Sequence, residues 1–317
     1  MFCDDGLFPT IVVDRHDEAD GVVSLTLALP DAGELPRWAP GAHIDVAVLD
    51  GEVRQYSLCG DPSTADSWRI AVLLQPHGRG GSDYLHRTAR IGSTLRVSLP
   101  RNNFPLIRSE SYIFVAGGIG ITPILPMIEA AQSAGSPWRL YYGGRTTSSM
   151  AFLDELAPYA SLVSVVSQQD SGLLPIAQIV AGGPDGAQVY CCGPEPLSAA
   201  VEAECAAVGV RLHVERFAPR PVGDASSSET AFDVRLAGSG VTVRVEADQS
   251  ILAAVELAGI VVEASCREGT CASCETTVLE GEVDHLDSVL TEDERRQNSS
   301  MMLCVSRART ATLVLDL

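Results

Sequence analysis

The chain has 317 residues, 46% of them hydrophobic, which suits a folded protein of two or three domains and excludes a disordered one. Its formal net charge is −19 and all 22 basic residues are arginine, so we expect no nucleic-acid partner. The chain lacks both a signal-peptide pattern and an apolar run near the roughly 18 residues of a membrane span, which predicts a cytoplasmic protein whose nine cysteines are not in disulfides.

Residues 1–107 carry short apolar or alternating segments between turn signals. The segments FPTIVVDRH, GVVSLTLALP, HIDVAVLDG, VRQYSLCG and WRIAVLLQP each predict a strand. Their spacing is typical of an antiparallel barrel or sandwich. A glycine-rich turn, GRGGS, then leads into a predicted helix, SDYLHRTA.

Residues 108–218 have a different pattern, in which strands alternate with helices. SYIFVAGG, RLYYGGR, SLVSVVSQ and AQVYCCG predict strands, while ITPILPMIEAAQSAG and PEPLSAAVEAECAAVG have helical spacing. This alternation predicts a parallel, doubly wound sheet. Residues 219–230 are rich in proline and serine and predict a linker. In residues 231–317, two strands (FDVRLAGSG and VTVRVEADQ) and a helix (SILAAVELAGI) precede a cysteine-rich stretch.

Four cysteines in the last segment follow the spacing C-x₄-C-x₂-C with one distant partner. Cys266, Cys271 and Cys274 lie in CREGTCASC, and Cys304 stands alone downstream. A structural zinc site favours two close pairs, whereas this spacing is that of plant-type ferredoxins with a two-iron, two-sulfur cluster. Small residues in the loop would let backbone N–H groups approach the sulfurs. The spacing therefore favours an iron–sulfur cluster, with zinc as the alternative.

Two further turns predict a nucleotide site. AGGIGITP (116–123) lies where a strand gives way to a helix, so its glycines would let the backbone approach a pyrophosphate. CCGPEPL (191–197) follows a later strand, and YYGGR follows the second strand of the sheet. Arg145 of YYGGR could bind a 2′-phosphate or a pyrophosphate oxygen, so the choice between NADH and NADPH stays open at this point.

The first segment holds a candidate phosphate site. In RQYSL, Arg54 can bind a phosphate. GRGGS (78–82) opens a helix and offers a second phosphate cradle.

Together these motifs resemble the phthalate dioxygenase reductase and vanillate demethylase reductase family of the ferredoxin–NADP reductase superfamily. RQYSL resembles its R-x-Y-S flavin motif, GGIGITP and CCGPEPL its nicotinamide turns, and residues 231–317 its C-terminal ferredoxin. The resemblance implies a flavin-binding β-barrel at 1–107, a nucleotide-binding domain at 108–218 and a β-grasp ferredoxin at 231–317.

The resemblance also implies roles for single residues. Flavin would be held by Arg54, Tyr56, Ser57, Leu58, Gly80, Gly81 and Ser82. The nicotinamide nucleotide would be held by Gly117, Gly118, Gly120, Thr122, Pro123, Cys192, Gly193 and Pro194, with Tyr142 and Arg145 at the adenosine ribose. Glu215 and Phe217 match an acidic–aromatic ending near the flavin, and Cys266, Cys271, Cys274 and Cys304 the iron ligands. The catalytic residues would be Ser57, which hydrogen-bonds the flavin nitrogen that accepts the hydride, with Thr122 and Cys192 beside the nicotinamide.

The implied activity is that of an NAD(P)H-dependent reductase which passes single electrons to a terminal oxygenase. FMN is favoured over FAD because no added element for an adenine half is visible, and NADH over NADPH by resemblance. The expected partner is a Rieske aromatic hydroxylase or O-demethylase, with a haem-thiolate monooxygenase as the alternative. A redox sensor with a structural cluster is the alternative from another class. We expect a monomer.

Overall fold

A computed structural model describes residues 6–219 and 230–317. The chain divides into two compact units, Met1–Glu215 and Arg216–Leu317. Most of the predicted linker, residues 220–229, lies outside the described residues, so the linker stays a prediction. In the described part of the chain, no helix is long and apolar enough to cross a membrane.

The first unit begins with an antiparallel six-stranded sheet. Its elements are β1 (Phe8–Ala19), β2 (Val22–Ala28), β3 (His43–Ala47), β4 (Val53–Ser57), β5 (Trp68–Leu73), helix α1 (Gly81–Thr88) and β6 (Thr94–Val97). The strand order is β4-β3-β6-β1-β2-β5, and a bridge between Leu58 and Ile70 joins the two edges into a barrel. Alternate residues of these strands, among them Leu25, Ile44 and Trp68, fill the barrel core, as the alternating pattern predicts. Strand β6 was not among the predicted elements.

The same unit continues with a parallel five-stranded sheet. Its strands are β7 (Tyr112–Gly117), β8 (Trp138–Gly144), β9 (Val163–Ser167), β10 (Gln188–Cys192) and β11 (Leu212–Glu215), in the order β11-β10-β7-β8-β9. Its helices are α2 (Ile124–Ser133), α3 (Leu153–Leu156), α4 (Gln168–Ser171), α5 (Ile176–Ala181) and α6 (Glu195–Val208). All six residues of the central strand β7 are buried, as expected for a parallel sheet covered on both faces. The carboxyl ends of the strands lie along one edge, where such sheets bind ligands.

The second unit is a small mixed sheet with its own hydrophobic core. Its elements are β12 (Phe232–Leu236), β13 (Thr242–Val245), α7 (Ile251–Leu257), β14 (Glu275–Glu280), β15 (Val283–Asp284), α8 (Glu292–Gln297), β16 (Ser300–Met302), β17 (Arg307–Ala308) and β18 (Thr312–Leu315). The main sheet has the order β13-β12-β18-β14-β16, with β12 and β18 parallel. Ser250 caps α7 by accepting a hydrogen bond from the Ala253 N–H, and Ile251, Leu252 and Val255 of that helix enter the core. The predicted fold class, an antiparallel barrel followed by a parallel sheet and a ferredoxin sheet, is confirmed.

Candidate functional site

The two predicted flavin motifs meet in the barrel. Arg54, on β4, lies directly against Gly81, the first residue of α1, because a Cβ on Gly81 would be 2.9 Å from the Arg54 Cγ. Gly80 caps this helix in the left-handed conformation, with φ of 86°. The Arg54 side chain contacts Glu52 at 2.5 Å, and the Ser82 hydroxyl accepts a hydrogen bond from the Gln75 N–H at 3.0 Å. A guanidinium beside the N-terminus of a helix is an arrangement that binds phosphate.

Ser57, at the end of β4, has a buried hydroxyl with no protein partner. The residue is 5% exposed, and its Oγ forms no hydrogen bond within the described residues. A buried polar atom without a partner is costly, so this atom suits a ligand contact. Burial raises the pKa of Tyr56, next to it, which keeps that phenol neutral. Leu58 is fully buried in the barrel core, and its flavin contact stays a prediction.

The two predicted nicotinamide turns pack against each other at the carboxyl edge of the parallel sheet. A Cβ on Gly120 would lie 2.2 Å from the carbonyl oxygen of Cys192, and one on Gly193 would lie 3.0 Å from the Cα of Gly117. Only glycine allows this approach. Thr122 is 2% exposed and its hydroxyl donates to the Ile119 carbonyl at 2.9 Å. The remaining members of these turns are Gly118, with a positive φ of 54°, Pro123, which precedes α2, and Pro194, which precedes α6.

Buried Cys192 and half-buried Glu215 form a pair at the same edge. The two residues are register partners on β10 and β11, with Cys192 Sγ 3.9 Å from Glu215 Oε2. Burial raises the pKa of Glu215 to about 8 and also raises that of Cys192. Glu215 is therefore a carboxylic acid at neutral pH, able to donate a hydrogen bond or a proton beside the predicted nicotinamide position.

The elevated pKa of Glu215 predicts how the first unit responds to pH. The unfolded chain loses this proton above about pH 4.5, whereas the folded protein keeps it until about pH 8. Stability contributed by the neutral acid is thus fully present at low pH and lost between these values, by at most about 1.4 kcal/mol per pH unit. Replacing Glu215 with glutamine should flatten that decline.

The measurement is thermal unfolding of the full chain at pH 5, 6.5 and 8, followed by tryptophan fluorescence. All three tryptophans lie in the first unit, so the signal reports on that unit. Glu110→Gln, which changes an exposed carboxylate of the same unit, should keep the wild-type pH profile. If Glu215→Gln keeps that profile too, the acid is not protonated in the folded protein.

Three further residues were predicted to contact the ribose or the flavin: Arg145, Tyr142 and Phe217. Arg145 is exposed just beyond β8, at the carboxyl edge where the adenosine ribose is expected. Tyr142, in contrast, is fully buried and its hydroxyl lies 3.3 Å from the Ala151 carbonyl, because its side chain points into the core rather than to the edge. The ribose contact of Tyr142 stays a prediction. Phe217 is 47% exposed beyond the end of the first unit, and its flavin contact stays a prediction.

The four predicted iron ligands are buried in the second unit. The Cys266 sulfur accepts hydrogen bonds from the N–H groups of Glu268 at 3.3 Å and Thr270 at 3.5 Å. Hydrogen bonds from the Cys271 and Cys304 thiols lower the pKa of Cys266, so these sulfurs lie close together. Cys274 joins the group because its carbonyl accepts from the N–H of Leu303, the residue before Cys304, at 3.3 Å. Cys304 itself lies in a turn after β16 rather than on a strand.

The loop that holds the first three cysteines turns sharply, with several residues in the left-handed backbone conformation. Arg267 and Ala272 have positive φ angles of 55° and 57°, which non-glycine residues rarely adopt. Gly269 has φ of 70°, and a Cβ there would lie 2.6 Å from the Val305 Cγ2. Four buried thiols, with backbone N–H groups that donate to the Cys266 sulfur, are the donor set that a two-iron, two-sulfur cluster takes. The residues present fit the cluster.

Sequence reasoning missed a second layer behind this loop. The Ser288 N–H donates to the Gly269 carbonyl at 2.8 Å. The Asp287 carboxylate, completely buried, accepts from the N–H groups of Val289 and Leu290 at 2.9 and 2.7 Å. An aspartate followed by a serine is a turn signal, and it could have identified this support, although not which loop it contacts.

Comparisons with known proteins agree with this geometry. Residues 234–309 match the model of the 2Fe-2S iron-sulfur cluster binding domain, and residues 114–203 match that of the oxidoreductase NAD-binding domain. The chain is 41% identical over 302 residues to phenoxybenzoate dioxygenase subunit beta of Ectopseudomonas oleovorans, covering 94% of each protein.

Two solved structures cover almost the whole chain. Phthalate dioxygenase reductase matches with a TM-score of 0.72 and 37% identity over 99% of both chains. An intact type IV self-sufficient cytochrome P450 monooxygenase matches with a TM-score of 0.91 and 42% identity over 98% of this chain, which spans only 41% of that protein. On these matches the chain belongs to the phthalate dioxygenase reductase and vanillate demethylase reductase family, as an NAD(P)H-dependent oxidoreductase of the kind that forms the reductase subunit of oxygenases.

Proposed function

We propose that this protein takes a hydride from NADH at an FMN site and delivers single electrons, through its iron–sulfur cluster, to a Rieske aromatic hydroxylase or O-demethylase. The observation that carries the proposal is the meeting of three structures in one chain: a phosphate cradle at Arg54 and Gly81, a glycine-lined nucleotide edge, and four clustered thiols. The flavin, when bound, supplies the conversion between a two-electron donor and a one-electron acceptor.

FMN is proposed over FAD because the sequence shows no added element for an adenine half, and the cradle at Arg54 would hold the terminal phosphate. The Arg54 guanidinium and the first N–H groups of α1 would bind the phosphate, with Gly80 and Gly81 allowing close approach. Tyr56 would lie along the isoalloxazine ring, and the Ser57 hydroxyl would donate to the ring nitrogen that receives the hydride. The buried, unpartnered Ser57 Oγ supports this last contact.

The nicotinamide ring is proposed to lie on the surface made by the two glycine turns. Gly120 and Gly193 let the two turns pack together into one surface. Thr122 and Cys192 would border the ring there. Cys192 stays a neutral thiol because burial raises its pKa, so it contributes shape and excludes water rather than acting as a nucleophile. Glu215 holds a proton within reach of Cys192.

NADH is proposed as the preferred donor, on family resemblance. Arg145 is exposed at the ribose edge, and it is the residue that could instead favour a 2′-phosphate. We expect kcat/KM to be higher with NADH than with NADPH under identical conditions. A tenfold advantage for NADPH, about 1.4 kcal/mol, would reverse the assignment and point to Arg145.

The cofactor content tests the proposal directly. The purified protein should contain one FMN, two irons and two acid-labile sulfides per chain, measured by chromatography of the released flavin and by iron and sulfide assays. Stoichiometric zinc without labile sulfide, or FAD in place of FMN, would contradict the corresponding assignment. Steady NADH-dependent reduction of ferricyanide separates a reductase from a redox sensor, which should turn over poorly.

A haem-thiolate monooxygenase remains the second candidate partner. The specific observation in its favour is the TM-score of 0.91 to the type IV self-sufficient cytochrome P450 monooxygenase, higher than the 0.72 to phthalate dioxygenase reductase. Reconstitution of turnover with each partner class distinguishes the two. Substrate oxidation with the Rieske oxygenase but not with the haem protein is the expected result.

A further inference from the structure

One side chain joins the barrel to the parallel sheet within the first unit. Arg69, on β5 of the barrel, contacts the Glu155 carboxylate of α3 through both terminal nitrogens, at 2.5 and 2.9 Å. The same guanidinium donates to the Cys59 carbonyl at 2.7 Å and lies over the ring of Phe152, 5.1 Å from its centroid. This set, Arg69 with Cys59, Phe152 and Glu155, is called the Arg69 clamp below.

The clamp is anchored in the barrel at Cys59 and in the parallel-sheet part at Phe152 and Glu155. On the barrel side, Cys59 follows Ser57 by two residues, so the clamp bonds the same chain segment that carries the proposed flavin contacts. On the other side, Phe152 caps α3 with a left-handed φ of 63° while being 2% exposed. A bulky residue rarely adopts that conformation without a compensating interaction. Here it places the ring beneath the guanidinium and begins the helix that carries Glu155.

A cleft between the barrel and the parallel sheet lies beside the clamp. The cleft has a volume of about 340 Å³ and is lined from the barrel by Thr26 and Asp61 and from the sheet side by Leu125 and Glu129. Cys59 of the barrel packs in the same hydrophobic cluster as Phe152 of the sheet side, so the clamp borders both the cleft and a packed contact. Helix α2, which lines the cleft, begins at the nicotinamide turn, so a shift of the sheet side here would move that turn relative to the barrel.

We infer that the Arg69 clamp positions the nicotinamide turn against the flavin segment and so sets the geometry of hydride transfer. This inference rests on the proposed function. Hydride transfer needs the reacting atoms roughly 3–3.5 Å apart, and a displacement of about 1 Å can cost a hundredfold in rate. Arg69 and Glu155 are positioning residues, because neither lies in the glycine turns or the flavin motifs.

The experiment uses the full-length holoprotein with Glu155→Ala. This carboxylate is 42% exposed and alanine is favourable in a helix, so the variant should fold. At saturating NADH, the limiting rate constant of flavin reduction in stopped flow should fall about tenfold, while the NADH dissociation constant and the FMN content stay near wild type. Arg69→Lys should act in the same direction, because lysine lacks the planar fork whose two terminal nitrogens bond the Glu155 oxygens and the Cys59 carbonyl.

The control is Asp233→Ala, which breaks an exposed arginine–carboxylate pair of 3.0 Å on the second unit and should leave the rate unchanged. A second readout needs no flavin: in protein stripped of FMN, amide hydrogen exchange of residues 58–60 and 152–156 should speed up in Glu155→Ala but not in Asp233→Ala. A wild-type limiting rate in Glu155→Ala, or a rate loss matched by equal loss of FMN, would overturn the inference. If wild-type protein itself is not reduced by NADH, the proposed function fails instead.

Discussion

Removing the second unit should abolish electron delivery to the oxygenase while sparing reduction of a small acceptor. The fragment 1–224 keeps the hydrophobic cores of the barrel and of the parallel sheet, and the core of residues 232–317 is built from its own residues alone. Such a fragment should fold, bind FMN and reduce ferricyanide, which can meet the flavin directly. Oxygenase turnover should fall at least a hundredfold, because the cluster is the proposed exit for single electrons.

A point variant checks this result in the full chain. Cys274→Ser removes one iron ligand and should lower oxygenase turnover in the same way, with ferricyanide reduction preserved. Val241→Ser changes an exposed apolar residue of the same unit, 38% exposed, and should leave both activities intact. If fragment 1–224 supports the oxygenase as well as the whole protein does, the cluster is not on the electron path.

The motifs and the order of the modules could be predicted from the sequence because each depends on local spacing. The cysteine spacing, the glycine turns and the alternating strands are each recognisable within a few consecutive residues. The fold confirms the architecture that they predict. The short strands β14 to β18 were not predicted. Strands of two to six residues surrounded by loops carry too little periodicity to be recognised, and their pairing comes from tertiary packing.

The direction of single side chains is the second feature that the sequence does not predict. Alternation along β8 turns the Tyr142 side chain into the core, a direction that its place in YYGGR does not reveal. Leu58, at the end of β4, is buried in the same way. Contacts between distant segments, such as Arg69 with Glu155 or Ser288 with Gly269, leave no local signal because at least one partner of each pair lies outside the motifs.

Loss of the Ser57 hydroxyl should slow flavin reduction about a hundredfold, in the range found when one preorganised hydrogen-bond donor is removed from a site of developing charge. Ser57 is 5% exposed and its Oγ has no partner in the described chain, so alanine leaves no protein group unsatisfied and the barrel should remain folded. The effect should fall on the rate rather than on binding, because electron density at the ring nitrogen changes most in the transition state. Stopped-flow bleaching of the flavin at saturating NADH reports this rate, and the flavin retained after gel filtration reports binding.

Ser198→Ala is the matched control for Ser57→Ala. Ser198 is also a fully buried serine whose Oγ lacks a hydrogen-bond partner in the described residues, but it lies on α6 outside both glycine turns and both flavin motifs. Its removal should therefore leave the rate of flavin reduction unchanged. An unchanged rate in Ser57→Ala with FMN retained would show that Ser57 is a strand residue without a part in hydride transfer. If flavin reduction is slow in both variants, the effect comes from packing, because the two serines are both buried but only Ser57 lies in a flavin motif.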